Sequence, residues 1–467
     1  MSAPLIWIGL PLALGVLLLL LPGERLVAWL GGLFSAALAV LALLVPTDTA
    51  INVFGFFSLR IDSTLTLLGR QISLTPAAQI VLVLAYAVGA FWFFGGLATG
   101  NARRLVSFGL MSIAILTASL AIRPFLYAAI LIQGAVLLSV FMLAEPGRPA
   151  GSGLIRFLIY QTLPMPFILF AGFLLSGVEA GPRDLAVILQ AAILLGLGFS
   201  FLLSIFPLST WLPMLAEQHA PYVVGFILST FPTFALLFAL NFVDRYSWIR
   251  ESDGFFEVLR FIGLLTALSG GVWAAFQRHA GRIFGYAAVA EIGFSLVAIS
   301  LPDRMAGLQI VFFMIVPRAL AYGTWAMSLS VLREAAEDLR YQSLQGLARR
   351  YPIATMGVFI SILSLSGVPL LASFPVRQVL WQELAVQGLG LAAAMGLASL
   401  GLWIAALRSL AVLSMSAENI EWASQETPAQ RVMIGLGLLA LFAAGFFPQW
   451  AAPLLANLGS LFSQISR

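Results

Sequence analysis

Apolar runs close to the length of a membrane-crossing helix, about 20 residues, recur along this chain almost from end to end, with few charges between them. Inside hydrocarbon the backbone amides and carbonyls must be satisfied within their own segment. The repetition therefore predicts helix after helix in a bilayer, not a soluble fold. Composition agrees: 61% of the 467 residues are hydrophobic and 9% are charged, whereas soluble domains carry about a quarter charged residues. The first run has no basic stretch before it and no small-residue cleavage site after it, so it reads as a retained helix.

The expectation is an all-α integral membrane protein of about fourteen spans, near 4–22, 27–45, 77–99, 104–122, 124–143, 154–178, 184–206, 221–243, 257–276, 283–300, 306–331, 353–372, 386–414 and 430–458. Residues 1–467 read as a single polytopic domain with no separate soluble unit. The longest early connection, 46–76, carries Arg60, Asp62 and Arg70. The most charged stretch, LREAAEDLRYQSLQGLARRYP from Leu332 to Pro352, reads as a surface helix or loop.

Some of these runs look interrupted. In FSFLLSIFPLSTWLPMLAEQHAPYVVGFILSTFPTF, Phe199 to Phe234, the seventh span meets Pro207 and restarts around Thr210 to Pro213, and the eighth carries Pro221 and Pro232. The twelfth meets Pro369 and Pro375, with Gly367 nearby. One proline alone would read as a packing kink. Breaks in spans five apart instead predict discontinuous helices 7 and 12 in two inverted five-helix repeats, 104–243 and 257–414, flanked by helices in 1–99 and 430–467. A broken helix in a membrane commonly holds a charge, yet nothing from Ser200 to Leu215 is ionisable.

The charge inventory narrows the chemistry further. There is no cysteine, which excludes disulfides, iron–sulfur clusters and thiolate metal sites. There is no lysine either, so the formal charge of +4 rests on arginine. Burial can bring lysine toward neutrality, whereas arginine stays charged. Any proton relay here must work without lysine. No nucleophile–base constellation, phosphate-binding glycine loop or basic run for nucleic acid is present. His219 with Glu217 is too little for a metal site and reads as a capping or interfacial pair; His279 reads as an inner-surface residue. No metal and no cofactor is expected. With the N-terminus outside, thirteen arginines fall in inner loops and eight in outer ones, which favours both termini outside.

Four stretches resemble the antiporter-like membrane subunits of respiratory complex I, multisubunit sodium/proton antiporters and membrane-bound hydrogenases. They are PLSTWLP (Pro207 to Pro213), LLTALSGGVWAAFQRHAGRIFGYAAVAEIGF (Leu264 to Phe294), GLARRYP (Gly346 to Pro352) and SLSGVPLLASFPVRQ (Ser364 to Gln378). Each is weak alone; their order, within fourteen spans broken at 7 and 12, makes the resemblance specific. It implies a proton path along the membrane midplane, built from lysines, a glutamate and histidines whose loading is switchable.

Carried over position by position, that path is missing. The glutamate of the fifth span falls at Gln133 and the lysine of the seventh at Leu202. The histidine before TWLP becomes Ser209, and the lysines of spans 8 and 11 fall near Phe234 and Ala321. A further lysine becomes Gly281 beside the retained Arg282, and a histidine near the eleventh-span lysine becomes Pro317. The basic residue after the twelfth-span break survives as Arg377, and the histidine of span 10 aligns with Glu291.

Glu291 thus stands as an ionisable residue at membrane depth, which is costly and for that reason a candidate for function. The plainer readings are a neutral acid bonded to a neighbouring helix, or a partner for Arg318. Arg377 could face a cavity, a carboxylate of a neighbouring subunit or lipid phosphate. The resemblance implies a subunit of a complex I-type (NADH:quinone oxidoreductase) or related translocating assembly in a bacterial cytoplasmic membrane. Its partners would be other membrane subunits and lipids, not nucleic acid. It would carry no catalytic residues of its own, have lost its lysine/glutamate channel, and keep a structural or coupling role. The alternative is a transporter of an anion or neutral solute on the same fold, using Glu291, Arg318 and Arg377.

Overall fold

In a computed structural model of the chain the helices follow the apolar runs. The structure describes residues 2–53, 57–67, 69–100, 102–144, 147, 150–175, 185–336, 338–415, 423–450, 453, 455, 461, 462, 464 and 465. Arg148, Arg183 and Arg467, which enter the arginine count, lie outside the described residues.

Among the described residues, ten helices are long and apolar enough to cross a membrane: α2 (Glu24–Leu44), α3 (Gln79–Ala98), α4 (Ala102–Ala121), α6 (Ser152–Leu174), α9 (Pro221–Arg245), α10 (Asp253–Phe276), α11 (Ala280–Ile299), α12 (Arg304–Ala336), α15 (Leu389–Ser414) and α16 (Pro428–Phe446). Four apolar helices are shorter: α1 (Leu5–Leu20), α5 (Ala128–Leu143), α7 (Ala186–Leu202) and α13 (Pro352–Ser366). Two further helices, α8 (Trp211–Gln218) and α14 (Phe374–Gln387), follow the breaks after α7 and α13. Starts are marked by residues suited to them. Proline occupies the first turn of α9, α13, α14 and α16, where its missing N–H costs nothing. Thr427 and Gln430 form a reciprocal capping box on α16.

Several boundaries differ from the sequence expectation. α7 ends at Leu202 and α13 at Ser366, each short of the span expected there. α14 fills what reads in the sequence as the loop between the spans 353–372 and 386–414, together with the first two residues of the latter. α12 runs on to Ala336 and so absorbs the start of the charged stretch from Leu332. The fold is nearly, not wholly, helical. In the 46–76 connection β1 (Ala50–Val53) pairs antiparallel with β2 (Phe57–Arg60), and β3 (Thr64–Leu67) with β4 (Arg70–Ser73). β4 also pairs with β5 (Ile122–Arg123) at the end of α4. The cause of the second hairpin is local: TLTL and RQIS alternate in polarity, and Gly69 at φ 71° supplies the left-handed turn between them.

Burial is uneven, and that unevenness positions the site. α9 and α11 are wrapped on nearly all sides, with 89% of each apolar window buried, whereas α10 and α15 turn a wide apolar face outward. α11 can sit this deep because it carries small residues where backbones meet. A Cβ on Gly285 would strike the Pro213 backbone of α8, and one on Gly293 the Ala267 backbone of α10. Close approach of this kind is how helices pack where water supplies no driving force.

Candidate functional site

Glu291 lies on this deeply wrapped helix α11, 2% exposed. Two arginines from two other helices close on its carboxylate. Arg318 of α12 donates through Nε to Oε2 at 3.1 Å, and Nη2 of Arg377, on α14, contacts Oε1. Nη2 of Arg318 also donates to the Glu291 carbonyl at 3.1 Å and to the Ser295 hydroxyl at 2.6 Å. Arg377 lies over the face of Phe294, its Cζ 3.5 Å from the ring centroid. An arginine on an aromatic face is attracted by the ring quadrupole, more strongly when water is excluded.

The break between α13 and α14 puts Arg377 in place. Gly367 ends α13 in the left-handed region at φ 82°, and Leu370 follows at φ 73°. A Cβ on Gly367 would come within 3.2 Å of Arg377 Cγ and 2.9 Å of the Trp381 ring. The turn thus needs glycine for its φ and for its closeness to the arginine. α14 then begins with Pro375 in its first turn and carries Arg377 inward, 1% exposed.

One carboxylate faces two guanidinium groups, so this cluster carries a net positive charge inside the bundle. Nε and Nη1 of Arg377 have no hydrogen-bond partner among the described residues. Arginine does not give up its proton near neutral pH. Both carboxylate oxygens of Glu291 are occupied by guanidinium donors. The arrangement can set a fixed field.

The positions where the sequence resemblance places channel residues lie on several elements, and one of them, Ala321, is a single turn from Arg318 on α12. Leu202 is buried at the end of α7, Ser209 in the turn before α8, and Ala321 on α12. Phe234 of α9 lines an apolar cavity with Val81, Leu84 and Ile113. Gln133 of α5 donates to the Thr162 hydroxyl at 3.0 Å, and its Oε1 has no hydrogen-bond partner among the described residues. Leucine, phenylalanine and alanine side chains cannot pass a proton along, so no hydrogen-bonded line runs through these five side chains.

Other polar residues do structural work that the sequence reading missed. Gln161 of α6 directs Nε2 at the Phe201 and Leu202 carbonyls, each at 3.4 Å, where the ladder of α7 stops. Ser204, at φ 57°, accepts from the Trp211 indole at 2.9 Å and so ties the break to α8. A lone glutamine inside an apolar run was the available signal for Gln161, since burying its amide unpaired is expensive.

The histidines have separate roles. His219 contacts the Leu143 carbonyl through Nδ1 at 3.1 Å, which makes that nitrogen the donor, while Glu217 binds Arg282 at 2.7 Å. His279 caps α11: Nδ1 accepts from the Gly281 and Arg282 amides, and Nε2 lies 3.3 Å from Asp338. Burial pushes the His279 imidazole below its usual range, and the nearby Glu217 and Asp338 carboxylates only partly offset this. Among the described residues, no group of three or more His, Cys, Asp or Glu could hold a metal.

Comparison with known proteins places the geometry in a family. Residues 161–401 match the family described as NADH:quinone oxidoreductase/Mrp antiporter, TM. A curated relative, NADH-quinone oxidoreductase subunit N of Deinococcus radiodurans, is 24% identical over 282 residues, which cover 60% of this chain and 57% of that protein. The match therefore spans little more than half of that relative's length. Among solved structures, a chain of the Mrp complex from Dietzia sp. DQ12-45-1b superposes with TM-score 0.82 at 14% identity, covering 100% of this chain and 99% of that one. A chain of respiratory complex I from Thermus thermophilus superposes with TM-score 0.75 at 20% identity, covering 99% of each. At these identities the structural likeness speaks for the fold.

Proposed function

The chain belongs to the NADH:quinone oxidoreductase/Mrp antiporter transmembrane family, and we propose that it serves as an antiporter-like subunit whose proton channel has been replaced by a fixed ion cluster. Its place is in a complex I-type or related ion-translocating membrane assembly, beside other membrane subunits. Its role there is structural, or electrostatic coupling between neighbours. The observation that carries this reading is Glu291 clasped by Arg318 and Arg377, in a chain with no lysine. Proton translocation through a membrane needs groups that exchange charge states. Here the two cations are permanent, and the channel positions are Gln133, Leu202, Ser209, Phe234 and Ala321.

The finer architecture belongs to the same proposal. The ten long and four shorter apolar helices support fourteen spans. The interruptions at 203–210 and 367–373, five spans apart, support discontinuous helices 7 and 12 within inverted repeats 104–243 and 257–414. The arginine excess on one side supports both termini outside, and the bacterial relative supports a cytoplasmic membrane.

A second reading is favoured by the two nitrogens of Arg377 that have no hydrogen-bond partner among the described residues: the fold has changed its cargo, and an anion or neutral solute passes the cluster. Reconstitution of the purified chain in liposomes under an imposed pH gradient separates the two readings. The expected result is proton flux no greater than that of empty liposomes. Flux above the leak that Glu291→Gln abolishes would overturn the silent-subunit reading. Anion or solute flux that Arg377→Ala abolishes would favour the second.

A further inference from the structure

At the end of the bundle where α10 stops and α11 begins, the chain forms a cavity of about 470 Å3, within the roughly 300–1,000 Å3 range of small-ligand sites. Arg278, Arg282 and Arg340 line it, with Glu217, Tyr341 and Phe276. The carboxylates nearby are already engaged. Glu217 binds Arg282 at 2.7 Å, and Asp338 lies 3.2 Å from Arg340 and 3.3 Å from His279. Among the described residues, three guanidinium groups stand against these two carboxylates. The Arg278 side chain has no hydrogen bond or ion pair with the described residues; only its backbone carbonyl is used, accepting from the Tyr341 amide at 2.9 Å. The cavity is net positive, with one guanidinium uncommitted.

A second observation says what kind of anion fits. α10 leads to the cavity with a stripe of exposed apolar side chains, Val258 at 57%, Phe261 at 63%, Leu265 at 39%, Trp273 at 54% and Phe276 at 69%. Their spacing keeps them on one face of a 24-residue helix, about 36 Å long. Phe276 belongs both to the stripe and to the cavity wall. A free ion would need only the arginines. A molecule with a phosphate at one end and a hydrocarbon chain at the other would use both features, at the depth where aromatic residues gather at a membrane interface.

We propose that this cavity binds the phosphate of an anionic phospholipid, held by Arg278 and Arg340, with an acyl chain laid along the exposed face of α10. Arg282 stays tied to Glu217 and contributes its field, while Arg278 and the Nη nitrogens of Arg340, whose Nε faces Asp338, supply the donors.

The test is native mass spectrometry of the full chain released from nanodiscs containing equal phosphatidylglycerol and phosphatidylcholine. The wild type is expected to retain phosphatidylglycerol in preference to phosphatidylcholine. Two basic side chains at an anionic headgroup are each expected to contribute about fivefold. Arg278→Gln with Arg340→Gln should therefore lower retention about 25-fold, with an unchanged melting temperature in lipid-free detergent. Arg278→Gln alone guards against misfolding and should lower retention about fivefold. Equal retention of the two lipids, or retention unchanged in the double variant, overturns the proposal. So does full displacement by millimolar inorganic phosphate, which would mark a free-anion site. Absence of the lipid from the chain isolated within its native assembly also overturns it, because a partner's carboxylates would then be the occupant.

Discussion

Arg318 meets Glu291 between neighbouring helices, Nε to Oε2 at 3.1 Å, while the same guanidinium reaches the Ser295 hydroxyl one turn further along α11 at 2.6 Å. This pair would be neutral without Arg377. The third charge makes the cluster positive, and it arrives from a segment that the Gly367 turn bends inward.

The imbalance gives two substitutions different costs. Glu291→Gln leaves two guanidinium groups buried without their carboxylate, and breaking a buried pair in this way costs about 3–5 kcal/mol. Arg318→Met leaves a balanced Glu291–Arg377 pair and is expected to cost clearly less. Thermal unfolding in detergent, followed by tryptophan fluorescence, ranks the variants. Equal losses would mean that net charge is not what the cluster maintains.

A packing prediction concerns the crossing of α10 and α15. A Cβ on Gly271 would collide with the Ala398 backbone, and one on Gly401 with the Gly271 carbonyl, so the helices touch backbone to backbone there. Gly271→Leu is expected to destabilise by at least about 1–3 kcal/mol through overpacking. Gly396→Leu, on the same α15 where nothing lies within 4 Å of an added Cβ, should change the melting temperature little. A melting comparison of the two variants checks both arms.

Glu291, Arg318 and Arg377 were legible as candidates because an ionisable side chain inside an apolar run announces its own cost. That both arginines would meet one carboxylate was not legible. It depends on how α12 and α14 turn around α11, and no spacing along the chain encodes that. The break near Pro207 was visible, whereas its support was not, since Gln161 sits 40 residues from the Phe201 carbonyl it serves. The hairpin of β3 and β4 was hidden for a different reason. Its residues alternate over only four positions, too short a stretch to stand out beside runs of apolar helix.

The break after α7 should depend on that support. Gln161→Leu removes the donor facing the Phe201 and Leu202 carbonyls. The Phe201 carbonyl keeps the Ser204 amide at 3.1 Å, but the Leu202 carbonyl loses its side-chain donor, and a buried carbonyl left unpaired costs about 1–3 kcal/mol. Ser204→Ala should add a loss of its own by orphaning the Trp211 indole. Hydrogen–deuterium exchange is the more local readout: amides of 203–210 should exchange faster in both variants while those of α15 stay protected. Uniform acceleration across the chain would mean that the loss is global and that these contacts do not specifically hold the break.

The last prediction is a pH dependence carried by His279. In its neutral form Nδ1 accepts from the Gly281 and Arg282 amides at the start of α11. Protonation turns that nitrogen into a donor and removes the cap. Because burial holds the imidazole below its ordinary range, the unfolded chain takes up this proton first as pH falls. The stabilisation is therefore complete above the unfolded value of about 6.5. It declines below that value and is lost once pH passes the depressed folded value. His279→Asn keeps a side-chain acceptor suited to a helix N-cap and removes the titration. Wild type and variant should melt alike at pH 8. At pH 5 the variant should be the more stable, by an amount approaching a cap's contribution of about 1 kcal/mol. Parallel melting curves from pH 8 to pH 5 would show that the cap does not respond to protonation, and that Asp338 and Glu217 hold the charged ring in place.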